Sequence, residues 1–284
     1  MANRACLGGI AIGEGLPVQV AGVINVSPES FYQGSVVLEE DRLLRAGEAM
    51  TRAGAAFIDV GAMSTAPYLA TRITEAQEAE RLAWVIDLLV RKLDRPVSAD
   101  TSRSGPARAA LDAGARIIND VTGLTGDREM GALVARSGAG LIVMAGERQG
   151  APSDDAIEQV GALLRQSLDL ARTAGVDPSL IVVDPGIGFF RNQSIPWHQW
   201  DCDVLARLSR LRLLGHPVCV GVSRKSFIGA IAGVDDPQQR LPGSLAATAA
   251  AVTSGAHLIR AHDVPETVQA VKVAQAIRRA AGEP

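Results

Sequence analysis

Residues 53–60 read AGAAFIDV, and the phrase returns as AGARIIND at 113–120, SGAGLIVM at 137–144 and SGAHLIRA at 254–261. In each, a glycine (Gly54, Gly114, Gly138, Gly255) follows an amphipathic stretch and precedes an apolar run. Glycine takes the left-handed conformation that ends a helix at least cost. Each phrase therefore predicts a helix stopping and a strand starting. Working outward, apolar runs recur as VQVAGVINV ending at Val26, AFIDVG at Gly61, PVSAD at Asp100 and RIINDV at Val121. They continue as GLIVM ending at Met144, LIVVD at Asp184, PVCVGV at Val222 and HLIRA at Ala261. Near-continuous hydrophobicity fits parallel strands covered on both faces.

Helical patterns fill the intervals, over 41–53, 75–92, 103–113, 127–137, 154–174, 199–214, 241–254 and 265–281. In the second, Leu82, Val85, Ile86 and Leu89 form the apolar stripe. Strand and helix alternating in this way predict an α/β fold, a closed (β/α)8 TIM barrel. It spans 1–284 as a single domain, with a short lead-in over 1–17. A doubly wound open sheet is the competing fold, and it lacks the G-x-G-x-x-G expected after a first strand.

The 284 residues are 47% hydrophobic and 21% charged, with a formal net charge of −3, which supports one large core. No basic stripe points to nucleic acid. No apolar run approaches the roughly 18 residues of a spanning helix, so no membrane partner is expected. The N-terminus is too weakly patterned for a secretory signal. Cys6, Cys202 and Cys219 are an odd number without C-x-x-C spacing. This argues against a disulfide scaffold or a zinc site and for a reducing cytoplasm.

Barrels of this type carry their chemistry at the C-terminal ends of the strands. Polar residues gather there: Asn25, Asp59, Asp100, Asn119 with Asp120, Asp184, then Ser223, Arg224 and Lys225, and finally Arg260, His262 and Asp263. Bland roles also exist. Asp100 suits a helix N-cap, Asp184 a turn before Pro185-Gly186, and Lys225 a solvated surface. Asp59 and Asp120 divide evenly between structural hydrogen bonding and a site. His198, beside Trp197 and Trp200, reads as packing, and His216 belongs to the opposite end of the barrel. No cluster has metal-ligand spacing, so a metal would arrive with a phosphate group.

In this order the motifs resemble the dihydropteroate synthase family: INVSPESF (24–31), IDVGAMSTAP (58–67), SADT (98–101), INDVTG (118–123), DPGIGF (184–189), GVSRKSFIG (221–229), GSLAA (243–247) and IRAHDV (259–264). The resemblance runs from about Val20 to Asp263. It implies a pterin pocket made by Asp100, Asn119, Asp184 and Lys225, lined by Met144 and Gly221. It implies diphosphate contacts from Asn25, Arg260 and His262, with Mg²⁺ at Asn25. It places an arylamine near Thr65, Pro67, Phe189, Arg224 and Ser226, and it implies a homodimer. The expected catalytic set is Asp100, Asp184, Lys225, Arg260 and His262. The expected reaction joins 6-hydroxymethyl-7,8-dihydropterin diphosphate to p-aminobenzoate, giving 7,8-dihydropteroate and pyrophosphate in folate biosynthesis.

Three segments depart from the family pattern. S-T-R-P-G becomes Ser64-Thr65-Ala66-Pro67-Tyr68, Met-His-Met becomes Met144-Ala145-Gly146, and Gly-Lys-Thr becomes Phe190-Arg191-Asn192. Ala66 removes a cation, and Arg72 or Arg191 are candidates to replace it. The changes leave a second acceptor open, a ribofuranosyl-aminobenzene phosphate of the methanopterin branch. A pterin-dependent methyltransferase, which gives Arg260 and His262 no clear task, and a non-catalytic pterin-binding protein, motivated by Ala66, are further alternatives.

Overall fold

The computed structural model describes residues 3–26, 36–62, 73–147 and 155–282. Two strands, β1 (Arg4–Leu7) and β2 (Ile10–Gly13), pair antiparallel as a hairpin. The barrel strands follow: β3 (Gln19–Asn25), β4 (Phe57–Gly61), β5 (Val97–Asp100), β6 (Ile117–Asp120), β7 (Gly140–Met144), β8 (Ile181–Asp184), β9 (Cys219–Gly221) and β10 (Leu258–Ala261). All the ladders in this sheet are parallel, in the order β8-β7-β6-β5-β4-β3-β10-β9. A parallel bridge between Val183 and Val218 joins β8 to β9 and closes the ring.

The helices are α1 (Val36–Ala53), α2 (Glu75–Lys92), α3 (Ser104–Asp112), α4 (Arg128–Ser137), α5 (Ala156–Ala174), α6 (Trp197–Ala206), α7 (Ser226–Ala232), α8 (Leu241–Thr253) and α9 (Val264–Ala280). Their ends carry the expected chemistry. Thr74 and Gln77 form a reciprocal capping box on α2, and Asp127 and Asp155 cap α4 and α5. The four joint glycines all have positive φ, as their phrases predict. Among the described residues, no helix is long and apolar enough to cross a membrane.

The barrel wall separates two apolar clusters. Outward residues such as Val20, Ile58, Val97, Ile118, Leu141, Val183, Val220 and Ile259 pack beneath the helices. Inward residues Ala21, Phe57, Ile117, Ile142, Val182, Cys219 and Leu258 meet Ala5, Leu7 and Ile12 of the hairpin. The hairpin therefore plugs the N-terminal mouth of the barrel. The short lead-in expected over 1–17 thus includes this hairpin. Gly8 and Gly9, at φ of 56° and 90°, form the tight turn of a two-residue hairpin. The end of the plug is fastened by Arg212, whose guanidinium pairs with Glu14 at 2.8 Å and whose carbonyl accepts from Asn3 at 2.7 Å.

That fastening accompanies a correction. The single helix expected over 199–214 ends at Ala206, and Leu208–Leu214 winds as a tighter 3₁₀ segment that carries Arg212 to the hairpin. A second is α7, a short helix that begins at Ser226, directly behind Lys225, where no helix is expected.

Leu7 is wholly buried between the plug and the barrel floor. Leu7→Ala should lower unfolding free energy by about 2–4 kcal/mol, the usual cost of truncating a buried leucine. Urea titration measures this, and a loss below about 1 kcal/mol would mean that the hairpin does not seal the core.

Candidate active site

Successive side chains of a strand face opposite sides, so the residue two places beyond each floor residue also points into the barrel. From Phe57, Ile117, Ile142, Val182, Cys219 and Leu258 this step reaches Asp59, Asn119, Met144, Asp184, Gly221 and Arg260. An apolar layer thus gives way to a polar one within a single strand repeat.

Arg260 sits at the centre. Its Nε donates to Asp59 Oδ2 at 2.8 Å, and its Nη2 donates to both Asp59 and Asp100, the latter at 2.8 Å. With the Asn119 amide oriented to satisfy both of its ends, its oxygen accepts from Arg260 Nη2 at 2.9 Å. Burial opposes the guanidinium's charge, yet Asp59, Asp100 and Asp184 outweigh it and hold Arg260 protonated. One cation cannot fully compensate two carboxylates. Burial pushes Asp100 up to about 7, Arg260 pulls it down and the charge of Asp59 pushes it further up. Asp100 Oδ1 is buried without a hydrogen-bond partner among the described residues. The structure thus settles the open choice for the two other aspartates. Asp59 is the anchor of Arg260, whereas Asp120 spends its oxygens on the Thr122 and Leu124 amides, at 2.8 and 2.9 Å, in the turn after β6.

Asp184 ends β8 and accepts from the Gly186 amide at 2.8 Å. Burial raises its pKa, against the pull of that amide, Arg260 and Lys225. The two glycines of DPGIGF are dictated by space as well as conformation. A Cβ on Gly186 (φ 74°) would lie 2.2 Å from the Ala145 carbonyl, and one on Gly188 (φ 84°) would lie 3.1 Å from Lys225 Cδ. Lys225 passes over this turn and holds its Nζ 4.4 Å from the centre of the Phe189 ring. Burial and the nearby Arg260 charge lower Lys225 to about 8, although Asp184, Asp201 and Asp100 favour its charged form.

The rim carries a second group. Asn25 Nδ2 lies 3.3 Å from His262 Nε2, and His262 Nδ1 lies 3.0 Å from Ser223 Oγ. His262 stands in the concave mouth, open to water on one side. Desolvation lowers its pKa, and Arg224, Arg260 and Lys225 reinforce this against Asp263. Arg224 is a non-glycine residue at φ 56°. Its amide donates to Ser244 Oγ at 2.8 Å, and its side chain clasps Asp263. The Arg224 side chain is thereby held at the β10–α9 junction.

Ser226 meets a different arginine. Arg191 donates to Ser226 Oγ at 2.6 Å and to the Gly188 carbonyl at 3.1 Å, and it stacks 4.1 Å over Trp197. Sequence reasoning missed two acids that brace this segment. Glu147 accepts from the backbone amides of Arg191 and Asn192, and from the Asn192 and Gln193 side chains. Asp201, wholly buried in α6, accepts from the Gly188 amide at 2.8 Å. Burial pushes Asp201 up to about 6. Thr65 and Pro67, with Ala66 and Arg72, lie outside the described residues.

Among the described residues no group of three or more His, Cys, Asp or Glu side chains could hold a metal ion. The arrangement instead offers buried carboxylates for N–H donors, a lysine beside them, and a rim of amide, imidazole and hydroxyl groups.

Comparison with known proteins agrees with this architecture. Residues 21–262 match the family described as pterin binding enzyme. The chain is 37% identical over 268 residues to a dihydropteroate synthase of Synechocystis, covering 92% of this chain and 90% of the relative. It is 40% identical over 269 residues to that of Mycobacterium leprae, covering 90% and 92%. The structure of Xanthomonas albilineans dihydropteroate synthase with 4-aminobenzoic acid superposes with a TM-score of 0.86 at 34% identity, covering 98% of this chain and 99% of that one. This barrel, with its carboxylates gathered around one buried arginine, belongs to the pterin-binding enzymes, and within them to the dihydropteroate synthase family.

Proposed function

We propose that the chain condenses 6-hydroxymethyl-7,8-dihydropterin diphosphate with p-aminobenzoate, forming 7,8-dihydropteroate and pyrophosphate. The observation that carries this reading is the buried set of Asp59, Asp100, Asn119, Asp184, Lys225 and Arg260. A pterin edge presents N–H donors, and buried carboxylates accept them as charge-assisted bonds. Asp100 Oδ1, unpartnered within the described protein, is suited to one of them. Asn119, able to donate and accept, suits the mixed part of the ring.

The acceptor nitrogen attacks the methylene carbon while the C–O bond to diphosphate breaks. The bonding pair leaves with the diphosphate, and the nitrogen sheds a proton to the departing anion or to water. Positive charge develops on the methylene and spreads into the pterin. With Asp59, Asp100 and Asp184 ionised against Arg260 and Lys225, the pocket keeps an excess of negative charge to meet it. An aromatic amine is neutral at pH 7, so positioning does more than base catalysis.

Asn25 and His262 would receive the diphosphate at the rim. If Asn25 Nδ2 donates to His262, its oxygen is left as a hard neutral donor. That suits Mg²⁺, which keeps several waters and binds chiefly through phosphate oxygens. Mg²⁺ would screen the charge of the leaving group. We also place the enzyme in the cytoplasm, where the free thiols of the exposed Cys6 and Cys202 would stay reduced. We read it as a homodimer, joined across the apolar groove between α8 and α9 where Val273 and Ile277 are exposed.

Purified protein should release pyrophosphate only when both substrates are present, and light scattering of the same sample should give twice the chain mass. Supplying p-aminobenzoate and the ribofuranosyl-aminobenzene phosphate in parallel identifies the acceptor. Pterin-diphosphate binding without turnover of either amine would reduce the chain to a pterin-binding protein.

Calorimetry with a free dihydropterin separates the two groups of residues. Asp184→Ala and Arg260→Ala should each weaken binding roughly 10- to 100-fold, from about 1.5–3 kcal/mol per charged hydrogen bond. Arg260→Ala belongs with the pterin group because it strands Asp59 and Asp100. His262→Ala should leave free-pterin affinity nearly unchanged while weakening the diphosphate form. Equal losses in all three variants would contradict this division.

A further inference from the structure

We propose that Arg191 is the specificity-determining cation that reads the acidic group of the acceptor amine, an inference that rests on the condensation proposed above. Arg191 follows DPGIGF by a single residue and is placed by contacts on three sides. The Gly188 carbonyl and Ser226 Oγ hold one nitrogen, at 3.1 and 2.6 Å, and Trp197 covers a face of the guanidinium at 4.1 Å. Glu147 fixes the backbone beneath it, accepting from the Arg191 amide at 3.2 Å and the Asn192 amide at 2.7 Å. Asp201, buried below the same turn, holds the Gly188 amide, and its charge and that of Arg191 act on each other. A long flexible side chain is thereby preset, which reduces the entropy lost when it binds an anion.

The position relative to the pterin residues gives this cation its object. Lys225 reaches inward over Phe189 towards Asp184 and Asp100, and Ser226, the next residue, meets Arg191. Because Ser226 Oγ accepts from Arg191, its own hydrogen remains to be donated. A planar cation and a hydroxyl donor thus stand side by side, one residue outward from the lysine that borders the pterin group. A benzenoid amine with its nitrogen at the pterin methylene and its ring beside Phe189 would direct a para carboxylate towards them. Arg224, which the resemblance places near the arylamine, is paired with Asp263.

The test compares p-aminobenzoate with the uncharged p-aminobenzamide in wild type, Arg191→Ala and Arg191→Lys, with dihydropterin diphosphate saturating. Arg191→Ala should raise KM for p-aminobenzoate about tenfold or more, as expected for a lost charged hydrogen bond. KM for p-aminobenzamide and KM for the pterin diphosphate should stay within about twofold, because neither depends on the lost charge. Arg191→Lys should fall between, keeping the charge without the planar fork. KM values for the two amines that rise together, or that do not move, would overturn the assignment and leave Arg191 a loop brace. Wild type that condenses neither amine would overturn the condensation itself, and this inference with it.

Discussion

The guanidinium of Arg260 lies inside the barrel, where Asp59 and Asp100 both bind it and the Asn119 amide can turn its oxygen to it. Removing one partner from such a buried ion pair leaves an uncompensated charge, at a typical cost of about 3–5 kcal/mol. The surrounding residues follow from this constraint. Asp59 anchors the arginine, and the arginine restrains Asp100. Burial keeps Asp100 near neutral pH, so the state of that carboxylate depends on what lies against it. Asp184 and Lys225 complete a group of charges too close together to titrate independently.

The barrel makes this arrangement tolerable. Below it, the hairpin and the floor residues form a layer that excludes water. Above it, Gly186 and Gly188 let the β8 turn pass close to Ala145 and Lys225, and the Arg224–Asp263 clasp fixes the turns after β9 and β10. The strands carry Asp59, Asp100, Asn119, Asp184 and Arg260. Glu147 and Arg191 lie in the loops after β7 and β8, and Trp197 opens α6. The departures at 190–192 therefore fall outside the Arg260 cluster of Asp59, Asp100 and Asn119.

Much of this was legible in the chain. Apolar runs, four of them preceded by a helix-ending glycine, located all eight barrel strands, because a buried parallel strand needs little beyond local composition. Parity along a strand could also have separated Asp59 from Asp120. Asn119 faces the interior with Asp100 opposite it in register, so its neighbour Asp120 must face the other way. The hairpin was overlooked although ACLGGIAIG alternates around a Gly-Gly turn. The resemblance places Arg260 at the diphosphate, and its partner Asp59 lies 201 positions away, a pairing made only by barrel closure. Glu147 and Asp201 carry no local mark. One follows an altered motif and the other sits in a helix whose acids read as solvated, and packing alone gives them their tasks.

Pterin binding is expected to draw Asp100 into its ionised form within the cluster organised by Arg260. Asp100 is raised to about 7 by burial, so at pH 7 a substantial fraction carries a proton. A ligand that presents N–H donors binds the ionised form, lowers that pKa and expels the proton. Its affinity should therefore weaken as pH falls below 7. The direct measurement is the binding heat of a dihydropterin at pH 7 in buffers of different ionisation enthalpy, which counts protons released per pterin bound. Wild type should release protons on binding, and the release should disappear in Asp100→Asn. A binding heat independent of buffer, or equal proton release in the variant, would contradict it.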